Sequence, residues 1–256
     1  MNGGARVERL DDQVAVVTGG GTGIGRATAV ALARQGAHVV VVGRRPEALE
    51  EGVAAVRAAG GAATAYPVDV SDSDAVQRLV ADVVQRWGRL DLLINNAGLN
   101  VPVRDMARVS VTDWEAILQV NLTGTFVMTH AALPTMRAQR SGTIVNISSM
   151  AGYRASALTG PAYNAAKAGV NSFTESVNLA ERRNGIRACV ICPGEVSTPF
   201  LMKRPEPPTA EARATMLQPE DIAATVVFVA SLPQRANVEL LTIYPTVQRD
   251  WTAEVS

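Results

Sequence analysis

The stretch VAVVTGGGTGIGRATAVALARQG, residues 14–36, combines an apolar strand, a glycine loop and the first turns of a helix. Gly19, Gly23 and Gly25 follow the strand, and glycine lets a backbone turn sharply and approach a phosphate closely. The helix N-terminus that follows offers free N–H groups and a partial positive charge to such a phosphate. The spacing is Gly-x-x-x-Gly-x-Gly, which does not fit the stricter Gly-x-Gly-x-x-Gly fingerprint. In this strand–loop–helix context, the stretch nevertheless predicts nucleotide binding.

The rest of the chain repeats this alternation of strand and helix. Several strand candidates are apolar on both faces, which is typical of a parallel sheet covered by helices on each side. The predicted strands are 14–19, 38–43, 62–68, 90–96, 142–148, 186–192 and 239–245. The predicted helices are 24–36, 46–59, 72–87, 112–138, 162–184 and 219–232. We therefore expect an α/β protein with a single-domain Rossmann fold, in which a doubly wound, mostly parallel seven-stranded sheet carries helices on both faces.

The segment 194–218 interrupts the alternation. It is rich in proline and mixed in charge, and it follows the carboxyl end of a strand, where open α/β sheets bind ligands. A segment of this length without a clear strand is usually a functional lid or a mobile loop. We therefore predict one nucleotide-binding domain over 1–256, with a substrate-binding lid at about 194–218.

The composition limits the classes of function. The chain has 256 residues, no net formal charge and 47% hydrophobic residues. A balanced charge gives no reason to expect nucleic acid or an anionic membrane as a partner, and no apolar run reaches the roughly 20 residues that span a bilayer. The N-terminal MNGGARVERLDDQ is polar and has no signal-peptide core, so we expect a cytoplasmic protein.

The cysteines Cys189 and Cys192 have the C-x-x-C spacing of a redox motif. They lie in the strand-like run IRACVIC, whereas a redox pair normally opens a helix. On a strand the two thiols point to opposite faces, so we expect buried structural cysteines. Two cysteines with two distant histidines also make a poor metal site, and we expect no metal.

The end of the second predicted strand bears on the choice of cofactor. Dinucleotide folds usually place an acid about 20 residues after the glycines, where it holds the adenosine ribose. Gly43 takes that position here, and Arg44 and Arg45 follow it. A carboxylate would repel a 2′-phosphate, whereas an arginine fork would bind it. We therefore expect NADP(H) to be preferred, with NAD(H) possible. The alternative, which the nearby Glu47 keeps open, is that both arginines are solvated surface charges.

Tyr163 and Lys167 lie in the stretch GPAYNAAKAG, residues 160–169. Their spacing of four puts both side chains on one face of a helix, about 6 Å apart at Cβ. A phenol beside an ammonium can serve as an acid or a base, and the small residues around the pair allow another molecule to approach. A solvated surface pair is the alternative.

Seven motifs occur in order over about residues 12–200. They are TGGGTGIG (18–25), VDV (68–70), NNAG (95–98), VNLTG (120–124), NISSMAG (146–152), YNAAK (163–167) and PGEVST (193–198). With these motifs the chain resembles the short-chain dehydrogenase/reductase family, and within it the 3-oxoacyl-(acyl-carrier-protein) reductase branch. The resemblance implies an NAD(P)-dependent oxidoreductase that acts on a carbonyl or a secondary alcohol.

The resemblance implies four catalytic residues. Tyr163 would be the general acid in carbonyl reduction and the base in alcohol oxidation. Lys167 would hold the nicotinamide ribose and lower the pKa of the phenol, which we expect to lie below its ordinary value near 10. Ser149 would hydrogen-bond the substrate oxygen, and Ser148 is expected to face the other way. Asn121 would anchor a water that links the lysine to solvent, although it could merely interrupt a helix.

The resemblance also implies a set of cofactor-binding residues. Asp69 and Val70 would lie by the adenine, and the stretch 193–198 would border the nicotinamide carboxamide. The full set is Gly19, Gly21, Thr22, Gly23, Ile24, Gly25, Arg44, Arg45, Asp69, Val70, Asn95, Ala97, Gly98, Tyr163, Lys167, Pro193, Gly194, Val196 and Thr198.

The expected activity is the NADP(H)-dependent interconversion of a ketone and a secondary alcohol by hydride transfer. The alternatives are an NAD(H)-dependent alcohol or hydroxy-acid dehydrogenase of the same family and, from another class, a non-catalytic nucleotide sensor on the same fold. A small-molecule carbonyl or alcohol is the expected partner, bound by a homotetramer or a homodimer. The C-terminal strand lacks the Asp-Gly-Gly close of many family members, which leaves both oligomeric states open.

Overall fold

A parallel sheet forms the centre of the molecule, within residues 9–248, which the computed structural model describes. Its strands follow the order β3-β2-β1-β4-β5-β6-β7, and each neighbouring pair is parallel. They are β1 (Val14–Thr18), β2 (His38–Gly43), β3 (Ala62–Pro67), β4 (Leu92–Asn95), β5 (Gly142–Ile147), β6 (Ile186–Pro193) and β7 (Leu240–Ile243). The predicted seven-stranded sheet is confirmed. The ends of the predicted domain, 1–8 and 249–256, lie outside the described residues.

Helices fill the connections between the strands. They are α1 (Gly23–Arg34), α2 (Pro46–Ala58), α3 (Ser73–Trp87), α4 (Val111–Leu118), α5 (Gly124–Gln139), α6 (Pro161–Glu181), α7 (Ala210–Ala214) and α8 (Pro219–Ala230). The prediction of one continuous helix over 112–138 is wrong in one respect. A π-helical turn, Gln119–Thr123, separates α4 from α5, and such turns carry one extra residue inside an otherwise regular helix.

Helix α3 shows how the local sequence sets the limits of these elements. Asp72 accepts a hydrogen bond from the Ala75 N–H at 3.0 Å and so caps the helix start. Gly88 ends the helix in the left-handed region, with φ of 73°, where glycine carries no steric cost. Between them, an apolar stripe at helical spacing is buried against the sheet: Val76, Leu79, Val80 and Val83.

The two faces of the sheet build two hydrophobic layers. Alternate residues of a strand point to opposite faces, so Val17 joins one layer and Val16 the other. The first layer packs against α1, α2 and α8, and the second against α3, α5 and α6. Cys189 and Cys192 are both buried free thiols and belong to different clusters, which confirms the expectation for them.

The chain extends the sheet in both directions from the paired strands β1 and β4. The chain runs from β1 to β2 and β3 on one side, and from β4 to β7 on the other. The connections that follow β1 and β4 therefore lead away in opposite directions, which leaves a crevice at the carboxyl ends of these two strands. Open α/β sheets bind their ligands in such a crevice.

The run Val111–Gln139, which covers α4, the π-turn and α5, is 29 residues long. By length and composition alone it is long and apolar enough to cross a membrane, unlike the sequence-based expectation that no run would be. Core helices of folded domains meet the same criterion. Here Ile117, Met128 and Met136 of this run are buried in the hydrophobic clusters of the protein.

Candidate active site

The glycine loop joins β1 to α1 at the crevice. Gly19 and Gly23 have φ of 63° and 52°, a region that residues with a side chain rarely adopt. A Cβ atom at Gly19 would lie 2.9 Å from the Asn96 side-chain nitrogen, and one at Gly25 would lie 2.3 Å from the Gly19 carbonyl oxygen. The loop therefore needs glycine for its backbone conformation and for its close packing.

The N-terminus of α1 is open to an anion. Thr22 occupies the cap position with an extended backbone, but its side chain makes no capping hydrogen bond, and the first turn holds no acidic residue. The free N–H groups and the helix dipole are thus available to a phosphate. Gly21 lies outside the cleft, where a Cβ atom would be 2.6 Å from the Ala48 carbonyl oxygen, so its role is to let α2 approach the loop. The glycine loop and the open N-terminus of α1 together fit the pyrophosphate of a dinucleotide.

Arg44 and Arg45 follow the end of β2 and are exposed. The Arg44 Nη1 lies 3.7 Å from a carboxylate oxygen of Asp69, so a residue predicted to bind the 2′-phosphate is a neighbour of one predicted to lie by the adenine. Burial raises the pKa of Asp69, but hydrogen bonds from Ser71 and the Arg44 charge outweigh this and lower it overall. Val70 is buried in the core, and a Cβ atom at Gly124 would lie 2.7 Å from its side chain.

The NNAG motif divides its side chains between the core and the cleft. The Asn95 side chain is buried and donates to Asn146 at 2.9 Å and to Thr129 at 3.1 Å. It therefore ties β4 to β5 and α5 and does not lie along the cleft, where sequence reasoning placed it. Asn96, which was not predicted, lines the cleft and donates to the Thr18 carbonyl at 3.0 Å. Ala97 and Gly98 line the cleft as well.

Tyr163 and Lys167 project from α6 into the cleft, opposite the glycine loop. The Lys167 side chain is buried, and its Nζ donates to the Ile147 carbonyl at 2.8 Å. The same Nζ lies 5.6 Å from the centre of the Tyr163 ring. Ser149 follows the end of β5 and lines the cleft together with Tyr163, and its hydroxyl acts on the phenol to lower the pKa. Ser148 points back into the protein, where its Oγ donates to the Lys167 carbonyl at 3.1 Å.

The protonation of this pair differs from the expectation. Burial raises the pKa of Tyr163 to about 12, although the hydrogen bond with Ser149 and the charges of Arg104 and Arg204 oppose the rise. Burial also lowers the pKa of Lys167 to about 8. The loss of solvent outweighs the nearby cations at the phenol, because an anion gains more from water than a neutral hydroxyl does. The phenol is therefore protonated near neutral pH.

Asn121 lies in the π-turn and is fully buried. Its side-chain amide donates at 2.8 Å to the carbonyls of both Ile117 and Leu99 and accepts from the Leu99 N–H at 3.3 Å. The amide thereby satisfies a helix carbonyl that the extra residue has displaced, and it ties the helix to the loop after NNAG. Its side chain fastens the wall of the cleft and does not line it.

The stretch after β6 closes the cleft on a third side. Gly194 donates its N–H to the Ile243 carbonyl at 2.8 Å, which holds the stretch to β7. Val196 pairs with Leu217 in an isolated parallel bridge, so the predicted lid is closed at its base. Between these two points the chain forms a short 3-10 helix, Pro199–Lys203, and the helix α7. Pro193, Gly194, Val196 and Thr198 all line the cleft, as do Phe200 and Leu201.

The resulting cleft has a volume of about 580 Å³. It brings together twelve of the predicted cofactor residues: Gly19, Thr22, Gly23, Ile24, Ala97, Gly98, Tyr163, Lys167, Pro193, Gly194, Val196 and Thr198. Among the described residues, no group of three or more His, Cys, Asp or Glu side chains is placed to hold a metal ion.

A family model described as short chain dehydrogenase matches residues 13–209 of this chain, over the glycine loop, Tyr163 and Lys167. The chain belongs to the short-chain dehydrogenase/reductase family. It is an oxidoreductase of that family.

Known members of the family resemble the chain over nearly its whole length. The 3-oxoacyl-(acyl-carrier-protein) reductase of Synechocystis sp. is 38% identical over 235 residues, which are 90% of this chain and 93% of that protein. The crystal structure of levodione reductase superposes with a TM-score of 0.86 at 32% identity, over 93% of this chain and 98% of that one. A single-residue variant of actinorhodin polyketide ketoreductase with NADPH gives a TM-score of 0.84 at 32% identity, over 91% and 96%.

Sequence reasoning missed the arginines on the substrate side of this short-chain dehydrogenase. Arg104, in the loop after NNAG, and Arg204, at the end of the 3-10 helix, both line the cleft near Tyr163. Arg204 makes an ion pair of 2.7 Å with Glu195. Both arginines lie in loops outside the seven motifs, so only the three-dimensional fold reveals that they share one cavity.

Proposed function

We propose that this oxidoreductase uses NADP(H) to interconvert a ketone and a secondary alcohol, with Tyr163 as the general acid and base. The observation that carries the proposal is the placement of Tyr163. It lines the same cleft as Ser149 and the glycine loop, and it lies on one helix with the buried Lys167, whose Nζ is 5.6 Å from the centre of its ring.

The residues on the opposite side of the cleft hold the dinucleotide in this proposal. The open N-terminus of α1 and Gly19, Thr22 and Ile24 receive the pyrophosphate. Arg44 and Arg45 receive the 2′-phosphate, since Gly43 offers no carboxylate to repel it. The ketoreductase with NADPH, which shares this fold, supports the choice of NADP(H), and NAD(H) remains the alternative. When bound, the cofactor supplies or accepts the hydride.

The side chains opposite the glycine loop transfer the proton to the substrate oxygen. Ser149 donates to the carbonyl oxygen of the ketone, where negative charge develops. Tyr163, protonated near neutral pH, gives its proton to that oxygen, and Lys167 binds the ribose and stabilises the phenolate that results. In alcohol oxidation the same groups act in reverse. Asn121 keeps the wall in place through its two side-chain N–H groups, which the carbonyls of Leu99 and Ile117 already occupy. In this proposal it takes part in the water path that reprotonates the lysine only through its acceptor oxygens.

The proposal also covers the domain organisation, the cellular location and the oligomeric state of the protein. The chain acts as one domain, with 194–218 as a lid whose Phe200, Leu201 and Met216 form an apolar wall over the substrate. It works in the cytoplasm as a homodimer or homotetramer on a small-molecule substrate. Phe126 and Phe228 are large apolar side chains on helix surfaces and are half-exposed, which supports an oligomer.

The test follows the oxidation of NADPH and NADH by purified protein with simple ketones, acyl thioesters, sugars and steroids. The Tyr163→Phe variant should lose about 10²- to 10⁴-fold in kcat for the best substrate, which is the usual contribution of a general acid. Tyr153→Phe is the matched control, because Tyr153 is an exposed tyrosine near the same cleft. Binding of NADPH by Tyr163→Phe should be retained.

Unchanged turnover in Tyr163→Phe would show that another group donates the proton. A wild-type protein that binds NADPH yet oxidises it with none of these substrates would favour the nucleotide sensor.

A further inference from the structure

The substrate side of the cleft carries an excess of positive charge. Arg104, Arg154, Arg204 and Lys167 line it, and Glu195 is the one acidic residue among the described lining residues. A substrate that enters next to Tyr163 therefore meets a positive field. Lys167 already has a role in the proposed reaction and Arg204 is paired with Glu195, so a wholly neutral ketone would leave the charges of Arg104 and Arg154 without a partner within the described part of the chain.

Arg104 is held rigidly by the backbone around it. Its Nε donates to the Val101 carbonyl at 2.8 Å, and its Nη1 donates to the Leu158 carbonyl at 3.0 Å. The third nitrogen, Nη2, is shielded from solvent and has no hydrogen-bond partner among the described residues. A buried N–H of a charged group without an acceptor is costly, so an acceptor supplied by a ligand would stabilise this nitrogen. Because Nη2 is closed to water-sized molecules, a ligand reaches it only after a local movement of the Arg104 side chain or of the cleft wall.

The position of Arg104 places this nitrogen close to the reacting group. Gly160, at the start of α6 with φ of 78°, packs against the Arg104 backbone, and a Cβ atom there would lie 2.8 Å from the Arg104 carbonyl oxygen. Tyr163 is three residues further along the same helix. The Arg104 charge acts on the Tyr163 phenol, and the phenol acts on Arg104 in return. Both residues also line the cleft, so the guanidinium and the phenol face the same cavity.

The second arginine on this wall already has an anionic partner. Arg204 pairs with Glu195 at 2.7 Å, and the Glu195 charge offsets its own. Among the ion pairs within residues 9–248, none involves Arg104. Arg104 thus combines an unsatisfied donor with an uncompensated charge, which matches one carboxylate oxygen better than a phosphate with its higher charge and three acceptor oxygens.

We propose that Arg104 binds a carboxylate of the substrate, and that this enzyme therefore interconverts a short keto acid and the corresponding hydroxy acid. The inference rests on the proposed function and specifies its substrate class. In the reduction, the carbonyl carbon gains a hydride from NADPH and the oxygen gains the Tyr163 proton, while the carboxylate is unchanged and NADP⁺ is released. An acyl-carrier thioester fits less well, since its charged phosphate lies at the far end of a long flexible arm.

The test compares pyruvate, acetoacetate and levulinate, each beside its methyl ester, with NADPH as the reductant. The wild-type protein should show a higher kcat/KM for one acid than for its ester, and the preferred acid reports how far the carboxylate lies from the carbonyl. In Arg104→Gln the acid-to-ester ratio of kcat/KM should fall about 10- to 100-fold, as expected for the loss of a charge-assisted hydrogen bond. Arg104→Lys, which keeps the charge, should restore part of the ratio.

Arg108→Gln is the matched control, because Arg108 is an exposed arginine of the same loop and is not among the described residues that line the cleft, and its ratio should change by less than about threefold. Calorimetric binding of the preferred acid and its ester to the complex with NADP⁺ gives a second measurement that does not depend on turnover. An Arg104→Gln variant that merely packs badly would lower the values for acid and ester alike and leave their ratio unchanged.

A wild-type protein that neither reduces nor binds any acid better than its ester would overturn the inference, as would an unchanged ratio in Arg104→Gln. Reduction of the esters or of an acetoacetyl thioester in that case would leave the proposed function standing. Acid-selective binding without any reduction would instead support the Arg104 site and contradict the proposed reaction.

Discussion

The ammonium nitrogen of Lys167 lies 5.6 Å from the centre of the Tyr163 ring, one helical turn away on the same face of α6. The nitrogen donates to the Ile147 carbonyl and not to the Tyr163 hydroxyl. The predicted spacing is thus correct, but burial shifts the pKa of the phenol in the direction opposite to the predicted one.

The pH dependence of ketone reduction should follow Lys167. Burial lowers the pKa of this lysine to about 8 and raises that of Tyr163 to about 12. We expect kcat/KM for reduction to be level at lower pH and to fall as the pH rises through about 8, because the ammonium loses its proton while the phenol keeps its own. Initial rates with saturating NADPH between about pH 6 and pH 10 measure this.

The Lys167→Arg variant supplies the control for that profile. A guanidinium keeps its charge throughout this range, so any remaining activity should decline only at higher pH. A wild-type profile that stays level beyond about pH 9 would show that the charge of Lys167 does not limit the reaction.

Lys167 should also reduce the stability of the folded protein. Its folded pKa of about 8 lies below its ordinary 10.5, so folding releases a proton between these values, and stability rises with pH across that window. Below about pH 8 the full penalty applies. At about pH 7, Lys167→Met should raise the free energy of unfolding by about 1–3 kcal/mol while it abolishes turnover.

Urea denaturation at about pH 7 and about pH 10.5 measures this effect. The gain should shrink at the higher pH, where wild-type Lys167 is already neutral. Lys203→Met, at an exposed lysine, should change stability by less than about 0.5 kcal/mol at either pH. A Lys167→Met protein that is less stable than the wild type near neutral pH would contradict this account.

Cofactor preference should depend on Arg44 and Arg45. Replacing both by alanine should raise the KM for NADPH about 10- to 100-fold, because the 2′-phosphate loses its charge-assisted partners, and should change the KM for NADH about threefold or less. Arg57→Ala is the control, since Arg57 is an exposed arginine at the far end of α2. Equal weakening of both cofactors would mean that these arginines do not recognise the extra phosphate.

Arg187 should be one of the largest single contributors to stability. It lies in β6, is buried, and donates to five backbone carbonyls, of Val229, Ala230, Leu232, Pro233 and Ala236, at the end of α8. Arg187→Met should lower the free energy of unfolding by about 3–5 kcal/mol, since these carbonyls lose their partner.

Chemical denaturation measures the effect of Arg187→Met. Arg183→Met, at an exposed arginine shortly before the same strand, should cost less than about 1 kcal/mol. A loss of similar size in both variants would argue against the role of Arg187 in ending α8.

The overall fold was open to prediction because its signals are local. The apolar runs of β1 to β7 and the glycines of the first loop mark a wound parallel sheet, and each predicted strand is present. The role of Arg187 was not identified. Nothing within IRACVIC indicates that its guanidinium contacts the end of α8, which lies more than 40 residues later in the chain.

The candidate site was predictable in part for the same reason. Tyr163 and Lys167 share one helix, so their spacing alone relates them. Asn95 and Asn96 are adjacent and chemically identical, and only the packing of β4 decides that the first enters the core and the second the cleft. Arg104 reaches the site through a loop whose path depends on contacts with α6, which no local pattern records.

The π-turn Gln119–Thr123 has a consequence for changes in chain length. Because the turn holds one residue more than a regular helix would, deletion of one residue there would let α4 and α5 join as one helix, and Met128 and Ala132 would keep the interior positions they now fill. The same deletion would displace Asn121, whose amide ties the turn to the Leu99 backbone. We therefore expect a shortened chain to keep its core and to lose the shape of one wall of the cleft.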